Sequence, residues 1–454
     1  MRVPVLGRLS VFEWPLLLIS LFLSWLEYIS NIITQFLPSP VIGVITRTLQ
    51  LTYNLTGSVR IVQRAGKDVA VSEKDSPADD ERMRLVTGLL NSPDIQTMCQ
   101  LFGYDVESRL VRTRDDYLLT LHRIQGPPRV PNGKVVYLHH GLLMCSEIWV
   151  TMLDKDSNLP FVLYDLGYDV WLGNNRGNKY SHKHIYRKSS SEAFWDFSLD
   201  EFALFDIPDS INYILQDTGS SSLIYIGFSQ GTAQAFASVA VNPDLNSKIE
   251  RIIAISPATT PKGLHSKFLD IFLKSSPNML FLLFSRRVLM PSVSFWQKVM
   301  YPPFFDTSID ISNWMLFKWR SLNIDRLQKI CSYAHLYSST SVKTVVHWFQ
   351  IMSSGNFHMY HNDMSGLSVW LPVQYPLKNI SIPIHLIYGT IDSLVDIDVM
   401  ESQLPKKFTS SHAVLDHEHL DNIWGRDVSS VVFPLVLAAL EPETVIPSPV
   451  GKPE

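Results

Sequence analysis

Cysteine is scarce in this chain: three in 454 residues, at Cys99, Cys145 and Cys331. An odd, widely spaced set argues against a disulfide-built secreted scaffold and fits a reducing compartment better, while leaving room for one bridge. Charge is scarce too. Only 18% of residues are charged and the net charge is −4, so no basic surplus is present to meet a nucleic acid. No internal repeat is visible. The deepest deficit is local: from Leu9 to Thr46 the only charges are Glu13 and Glu27.

What the chain does carry is concentrated at Gly227-Phe228-Ser229-Gln230-Gly231. The apolar run Leu223-Ile224-Tyr225-Ile226 precedes it, and Thr232-Ala233-Gln234-Ala235-Phe236-Ala237 follows as a helix start. G-x-S-x-G between a strand and a helix is the nucleophile elbow of α/β-hydrolases. A turn this tight strains the serine backbone, and only glycine tolerates the crowding two residues to either side. The strain lifts the hydroxyl clear of the sheet, and the helix aims its N-terminal dipole at the reacting centre.

A serine nucleophile needs a base, a carboxylate to orient the base, and donors for the oxyanion. In this architecture the carboxylate and histidine follow the serine in the chain. Pro383-Ile384-His385-Leu386-Ile387-Tyr388-Gly389 is a buried-strand pattern, and Asp392 lies just past its end. A short strand from His412 to Leu415 leads into Asp416-His417-Glu418-His419-Leu420-Asp421. The expected roles are Ser229 as nucleophile, His419 as general base and acid, and Asp392 as its orienting partner. Spacing leaves His417 open against His419, and Asp396 open against Asp392; the member of each pair not used reads as a surface loop residue. The strand Val135-Val136-Tyr137-Leu138 runs into His139-His140-Gly141-Leu142, so the oxyanion donors are expected at the backbone amides of Leu142 and Gln230. His139 and His140 read as packing and hydrogen-bonding residues.

From Cys99 to Arg426 the chain resembles the acid lipase family, which includes gastric and lysosomal lipases and the yeast steryl ester hydrolases. The matching segments include Thr113 to Leu119, His140-Gly141-Leu142-Leu143, Asp169 to Asn178, Phe194-Trp195-Asp196-Phe197-Ser198, the elbow, Ser354-Gly355-Asn356-Phe357 and Glu418 to Gly425. The resemblance carries the base to His419 and the acid to Asp392. It implies hydrolysis of long-chain carboxylic esters with neither metal nor cofactor. One departure is Asp115-Asp116, where the family has Asp-Gly in an early hairpin. Asn174-Asn175-Arg176-Gly177-Asn178 reads as a buried polar network bracing the oxyanion loop. His182 with His184, and His358 with His361, read as solvated loop histidines rather than metal ligands. His417-Glu418-His419 is not a zinc-protease helix, because Asp421 stands where its second histidine would be.

The N-terminal apolar stretch is the remaining signal. Trp14 to Leu26, taken as a helix, spans about 20 Å, short of the roughly 30 Å hydrocarbon layer. A secretory signal is disfavoured because Glu27-Tyr28 occupies the cleavage region. Arg2 and Arg8 before the segment, and Arg47 and Arg60 after it, put both ends on the cytoplasmic side. A hairpin broken at Pro38 and Pro40 satisfies this; a single span is the alternative. The charged, aromatic-free stretch from Lys67 to Arg84 reads as a tether. An insertion between Pro261 and about Leu371 is the usual cap, with apolar helices whose faces line an acyl channel or meet lipid.

The expected organisation is an anchor over 1–48, a flexible linker over 49–95, an α/β-hydrolase core over 96–260 and 373–440, a cap over 261–372, and a disordered tail over 441–454. The sequence points to a membrane-anchored serine esterase on endoplasmic reticulum and lipid droplets, with its catalytic domain cytosolic. Steryl esters are the expected substrate, by the likeness of the N-terminal start to yeast lipid-droplet steryl ester hydrolases, with triacylglycerol as the alternative. A non-catalytic hydrolase-fold scaffold is the competing class, disfavoured by the complete set of catalytic side chains.

Overall fold

The computed structural model describes residues 14–38, 40–45, 47–48, 77–261, 267–299, 302–362 and 372–441. Its centre is a nine-stranded sheet. The strands are β1 (Asp105–Arg112), β2 (Tyr117–Gln125), β3 (Val135–His139), β4 (Asp169–Leu172), β5 (Lys183–His184), β6 (Leu223–Phe228), β7 (Ile249–Ile255), β8 (Ile384–Gly389) and β9 (Thr409–Val414). Their order is β1-β2-β4-β3-β6-β7-β8-β9, with β5 paired to β2. From β4 to β9 every pairing is parallel, whereas β1, β2 and β5 pair antiparallel. This is the α/β-hydrolase architecture that the elbow predicts.

The central strands are apolar on both faces because both faces are covered. Val136, Leu138, Ile224, Ile226 and Ile253 enter one core, while Val135, Tyr137, Leu223, Tyr225 and Ile252 enter the other. Alternation at period two thus divides each strand between two buried layers. In the early hairpin Asp116 takes φ 74°, the left-handed conformation that glycine adopts more cheaply, so the turn survives the substitution. Asp115 is drawn inward and pairs with Arg176 at 2.6 Å.

The helices used below are α1 (Trp14–Phe36), α2 (Pro77–Asn91), α3 (Ile95–Gln100), α4 (Leu159–Asp165), α5 (Ile207–Thr218) and α6 (Gln230–Val241). The cap contributes α7 (Lys267–Lys274), α8 (Pro277–Phe284), α9 (Val293–Val299), α10 (Pro302–Phe317), α11 (Arg326–Ala334) and α12 (Val342–Ser354), and after β8 comes α13 (Ile397–Gln403). Two expectations need correction. The tether is not featureless: residues 77–91 are helical, and Val86 and Leu89 are buried in the main core. Leu89 and Val86 recur at helical spacing, so one apolar edge outweighs the charge-rich composition. The apolar N-terminal run is also longer as a helix than its first thirteen residues imply. α1 runs unbroken for 23 residues, about 34 Å at about 1.5 Å per residue, because the polar residues after Leu26 are helix-compatible until Pro38. Among the described residues it is the one helix long and apolar enough to cross a membrane. Residues 1–13, 49–76 and the tail from 442 lie outside the described residues.

Candidate active site

Ser229 adopts φ 52°, ψ −120°, a region costly to any side chain, between the end of β6 and the start of α6. Three bonds hold it there. Its N–H donates to Ile255 O at 3.0 Å, and its carbonyl accepts from Thr232 N at 2.9 Å and Thr232 Oγ1 at 2.7 Å. The flanking glycines are needed for space. A Cβ on Gly227 would stand 2.8 Å from Thr232 N, and one on Gly231 would stand 2.5 Å from His139 O.

His419 is brought in from the loop after β9. Its Nδ1 donates to Asp392 Oδ2 at 2.6 Å. The Asp392 side chain is wholly buried, and its other oxygen accepts from Leu394 N at 2.9 Å. The imidazole lies between two rings: Trp319 stacks on it at 5.2 Å, and Phe228, next to Ser229, packs at 5.2 Å. The His419 carbonyl accepts from Ser256 Oγ at 2.8 Å. The loop itself is tied to the cap, where Glu418 accepts from Arg320 N at 2.8 Å and Ser321 N at 2.7 Å. Trp319 is therefore carried by the cap onto the base, a contact that crosses about a hundred residues of chain and leaves no local sequence signal.

The open alternatives separate by geometry. His417 has both ring nitrogens occupied, Nδ1 at 2.9 Å from Asn422 Oδ1 and Nε2 at 3.2 Å from Asn323 Nδ2. It is buried rather than the surface loop residue expected, and its ring is spent on the loop. Asp396 caps α13, its Oδ1 accepting from Val399 N at 3.3 Å.

The oxyanion loop lies directly over the nucleophile, since a Cβ on Gly141 would stand 3.1 Å from Ser229 Cβ. Gln230 is the first residue of α6, so its N–H has no intrahelical acceptor. The orientation of the Gly141–Leu142 peptide is set by His140. Asn175 N donates to His140 Nε2 at 3.1 Å, so that nitrogen must accept, and Nδ1 carries the proton it donates to Gly141 O at 2.7 Å. Burial lowers the His140 pKa to about 4, which keeps the ring neutral. In a trans peptide the carbonyl and the following N–H point oppositely, so pinning Gly141 O turns Leu142 N–H the other way.

Arg176 anchors this bracing. It is buried, donates to Asp115 at 2.6 and 2.9 Å and to Asp206 at 2.8 Å, and stacks over Tyr117 at 4.0 Å. Asn174 and Asn178 join at 2.9 Å and Asn174 reaches Ser146 N at 3.0 Å, extending the network toward the oxyanion strand. The three cysteines are free and buried. Among the described residues no cluster of three or more His, Cys, Asp or Glu could hold a metal ion. His358, expected as a solvated loop histidine, is instead buried, with Nδ1 bonded to Met359 O at 2.6 Å.

Two family models match: the α/β hydrolase fold over residues 134–426 and a partial α/β-hydrolase lipase region over residues 95–153. Together with the sheet and elbow they define the class, an α/β-hydrolase. A protein of Schizosaccharomyces pombe named "Probable lipase" is 48% identical over 77% of this chain and 80% of its own. Gastric triacylglycerol lipase of Rattus norvegicus is 33% identical over 75% of this chain and 89% of its own. Among solved structures, carboxylesterase CesB of Bacillus subtilis aligns with a TM-score of 0.43 at 14% identity, over 80% of this chain and 98% of that one. The chain belongs to the acid lipase family, and it is a carboxylic ester hydrolase.

Proposed function

We propose that this lipase hydrolyses steryl esters to sterol and fatty acid at a lipid surface, through an acyl-enzyme on Ser229. His419 Nε2 takes the proton from Ser229 Oγ as the oxygen attacks the ester carbonyl carbon. The negative oxygen of the tetrahedral intermediate is held by Leu142 N–H and Gln230 N–H. Collapse expels the alcohol, which receives the proton from His419. Water then attacks the acyl-enzyme, His419 again accepting and returning a proton, and the fatty acid leaves. Asp392 holds the Nδ1–H tautomer throughout and stabilises the imidazolium. The observation that carries this reading is the 2.6 Å bond between Asp392 and His419 beside a strained serine. No step requires a metal or cofactor.

The preference for steryl esters rests on the likeness of the N-terminal start and α1 to yeast lipid-droplet enzymes. Triacylglycerol is the second reading, favoured by the gastric relatives, whose name specifies that substrate. Anchorage on endoplasmic reticulum and lipid droplets, with the catalytic domain cytosolic, is supported by the apolar length of α1 and by basic residues on both sides of it. The test is a panel on the purified full chain: cholesteryl oleate, ergosteryl oleate, triolein and a short-chain nitrophenyl ester. Faster turnover of both steryl oleates than of triolein upholds the reading, and the reverse order transfers it to triacylglycerol.

A further inference from the structure

The polar residues of α1 are not scattered. Ser20, Ser24, Glu27, Asn31 and Thr34 recur at spacings of three and four, which puts them on one helix face. That face is turned inward: Ser20 is buried, and Ser24, Glu27, Asn31 and Thr34 are half-buried. The opposite face is apolar and open, with Leu18, Phe22, Leu23, Trp25, Ile32 and Ile33 all exposed. The inward face meets the cap. Leu17 enters an apolar cluster with Phe272, Met279 and Leu280 of α7 and α8. Glu27, the one acidic or basic residue in α1, accepts from the backbone N–H of Ser292 at 3.0 Å and from its hydroxyl.

We propose that α1 is a fixed part of the cap, docked by its polar face and latched at Glu27–Ser292, and that its outer face lies in one lipid leaflet so that the cap is held at the lipid surface. This rests on the membrane-anchored reading above and specifies its geometry. Two observations select a lipid leaflet as the occupant of the outer face. An exposed row of large apolar side chains without a single charge is not a surface that water favours. Where α1 leaves the cap, it borders with α9 and Ile45 an open groove of about 390 Å³ whose lining is almost wholly apolar, including Ile29, Ile33, Phe295 and Trp296. Acyl tails match that chemistry.

The docked position and a transbilayer span exclude each other. Glu27 is near the middle of α1, so a span would carry an unpaired carboxylate to the hydrocarbon centre and leave Ser292 behind. The docked helix instead has its carboxylate satisfied by the cap. There is also a path to the chemistry: Leu143, adjacent to the oxyanion residue Leu142, packs against the same cluster that receives Leu17. The docked helix therefore lies on the side of the molecule where the site is.

The experiment uses the full chain on phosphatidylcholine vesicles and on a triolein emulsion. Leu21→Cys with Phe284→Cys, two half-buried positions at the edge of the shared apolar cluster that leave the Glu27–Ser292 latch intact, is treated with a short bifunctional thiol reagent; the native cysteines are buried and the single variants control for them. The expected result is cross-linking of the pair on vesicles, with vesicle flotation retained. Glu27→Leu should also float, keep soluble short-chain ester turnover within twofold, and lose at least fivefold on the emulsion. Flotation without cross-linking, or an unchanged emulsion rate in Glu27→Leu, overturns the docking while sparing the anchor. Failure of the unmodified chain to float overturns the anchored reading itself, and the proposal with it.

Discussion

Asp392→Asn replaces one oxygen of the site by an amide nitrogen and should remove most of its activity. In the native site one carboxylate oxygen accepts from Leu394 N at 2.9 Å and the other from His419 Nδ1 at 2.6 Å. An asparagine keeps its single oxygen on the Leu394 N–H, which can only donate. Its amide nitrogen then faces Nδ1, and two donors cannot meet. The imidazole is driven to the Nε2–H tautomer, which has no lone pair for the Ser229 proton. The same substitution in a serine protease triad costs about 10⁴ in kcat, or about 5.4 kcal/mol of barrier. Near-native KM and a near-native melting temperature should accompany the loss, since the side chains are isosteric. The assay is steady-state hydrolysis of a soluble nitrophenyl ester, with folding checked by circular dichroism. Asp396→Asn is the control: asparagine caps a helix about as well as aspartate, so activity should stay within about twofold. A loss below tenfold in Asp392→Asn, or an equal loss in Asp396→Asn, refutes the assignment of Asp392.

Ser229→Ala should abolish both turnover and fluorophosphonate labelling while leaving flotation with vesicles intact; retained labelling would move the nucleophile elsewhere. His417→Ala should lower stability by about 1–3 kcal/mol, because it leaves the buried Asn422 Oδ1 without its donor, yet keep activity per folded molecule within tenfold, as read by melting temperature and kcat. His140→Ala frees the Gly141–Leu142 peptide, so kcat should fall by up to about 10² with KM nearly unchanged, approaching the effect of losing one oxyanion donor. Glu147 is a pH probe. Burial alone would raise its pKa, but its bond with His335 and the charge of Lys179 outweigh this and lower it from 4.5 to about 2. A depressed carboxylate stabilises the fold fully above its unfolded pKa and loses that contribution as pH falls through the folded one. The contribution, on the order of 3 kcal/mol, should therefore vanish between about pH 4.5 and 2. Melting curves of Glu147→Gln should lie below the native ones at pH 7 and converge with them across that window.

The elbow was legible because its constraint is local. The spacing of Gly227, Ser229 and Gly231 follows from backbone crowding within a single turn, so five letters between a strand and a helix suffice. The strands of the central sheet were legible for the same kind of reason, since burial on both faces requires continuous apolar runs such as Leu223–Phe228. The α1 polar stripe was equally present in the letters, at helical spacing, but the first thirteen apolar residues masked it by suggesting a shorter helix. The helical character of residues 77–91 was hidden by the opposite bias, a charge-rich composition around a few apolar positions.

The amino-acid sequence by itself determined the class of fold, and it pointed to the candidate nucleophile and to the order in which its partners follow, because each of these depends on neighbours along the chain. Spacing left Asp396 open against Asp392 and His417 open against His419; the resemblance favoured Asp392 and His419, and the tertiary structure is what brings those two within 2.6 Å of each other, a distance between loops that no spacing rule encodes. It alone placed Trp319 on the base, His140 behind the oxyanion peptide and Glu27 against Ser292. The bonds that hold these groups, with Asn175 fixing the His140 ring, join segments from about thirty-five to more than two hundred and fifty residues apart, and their partners are selected by burial: a polar group withdrawn from water must find its complement wherever the fold brings one near.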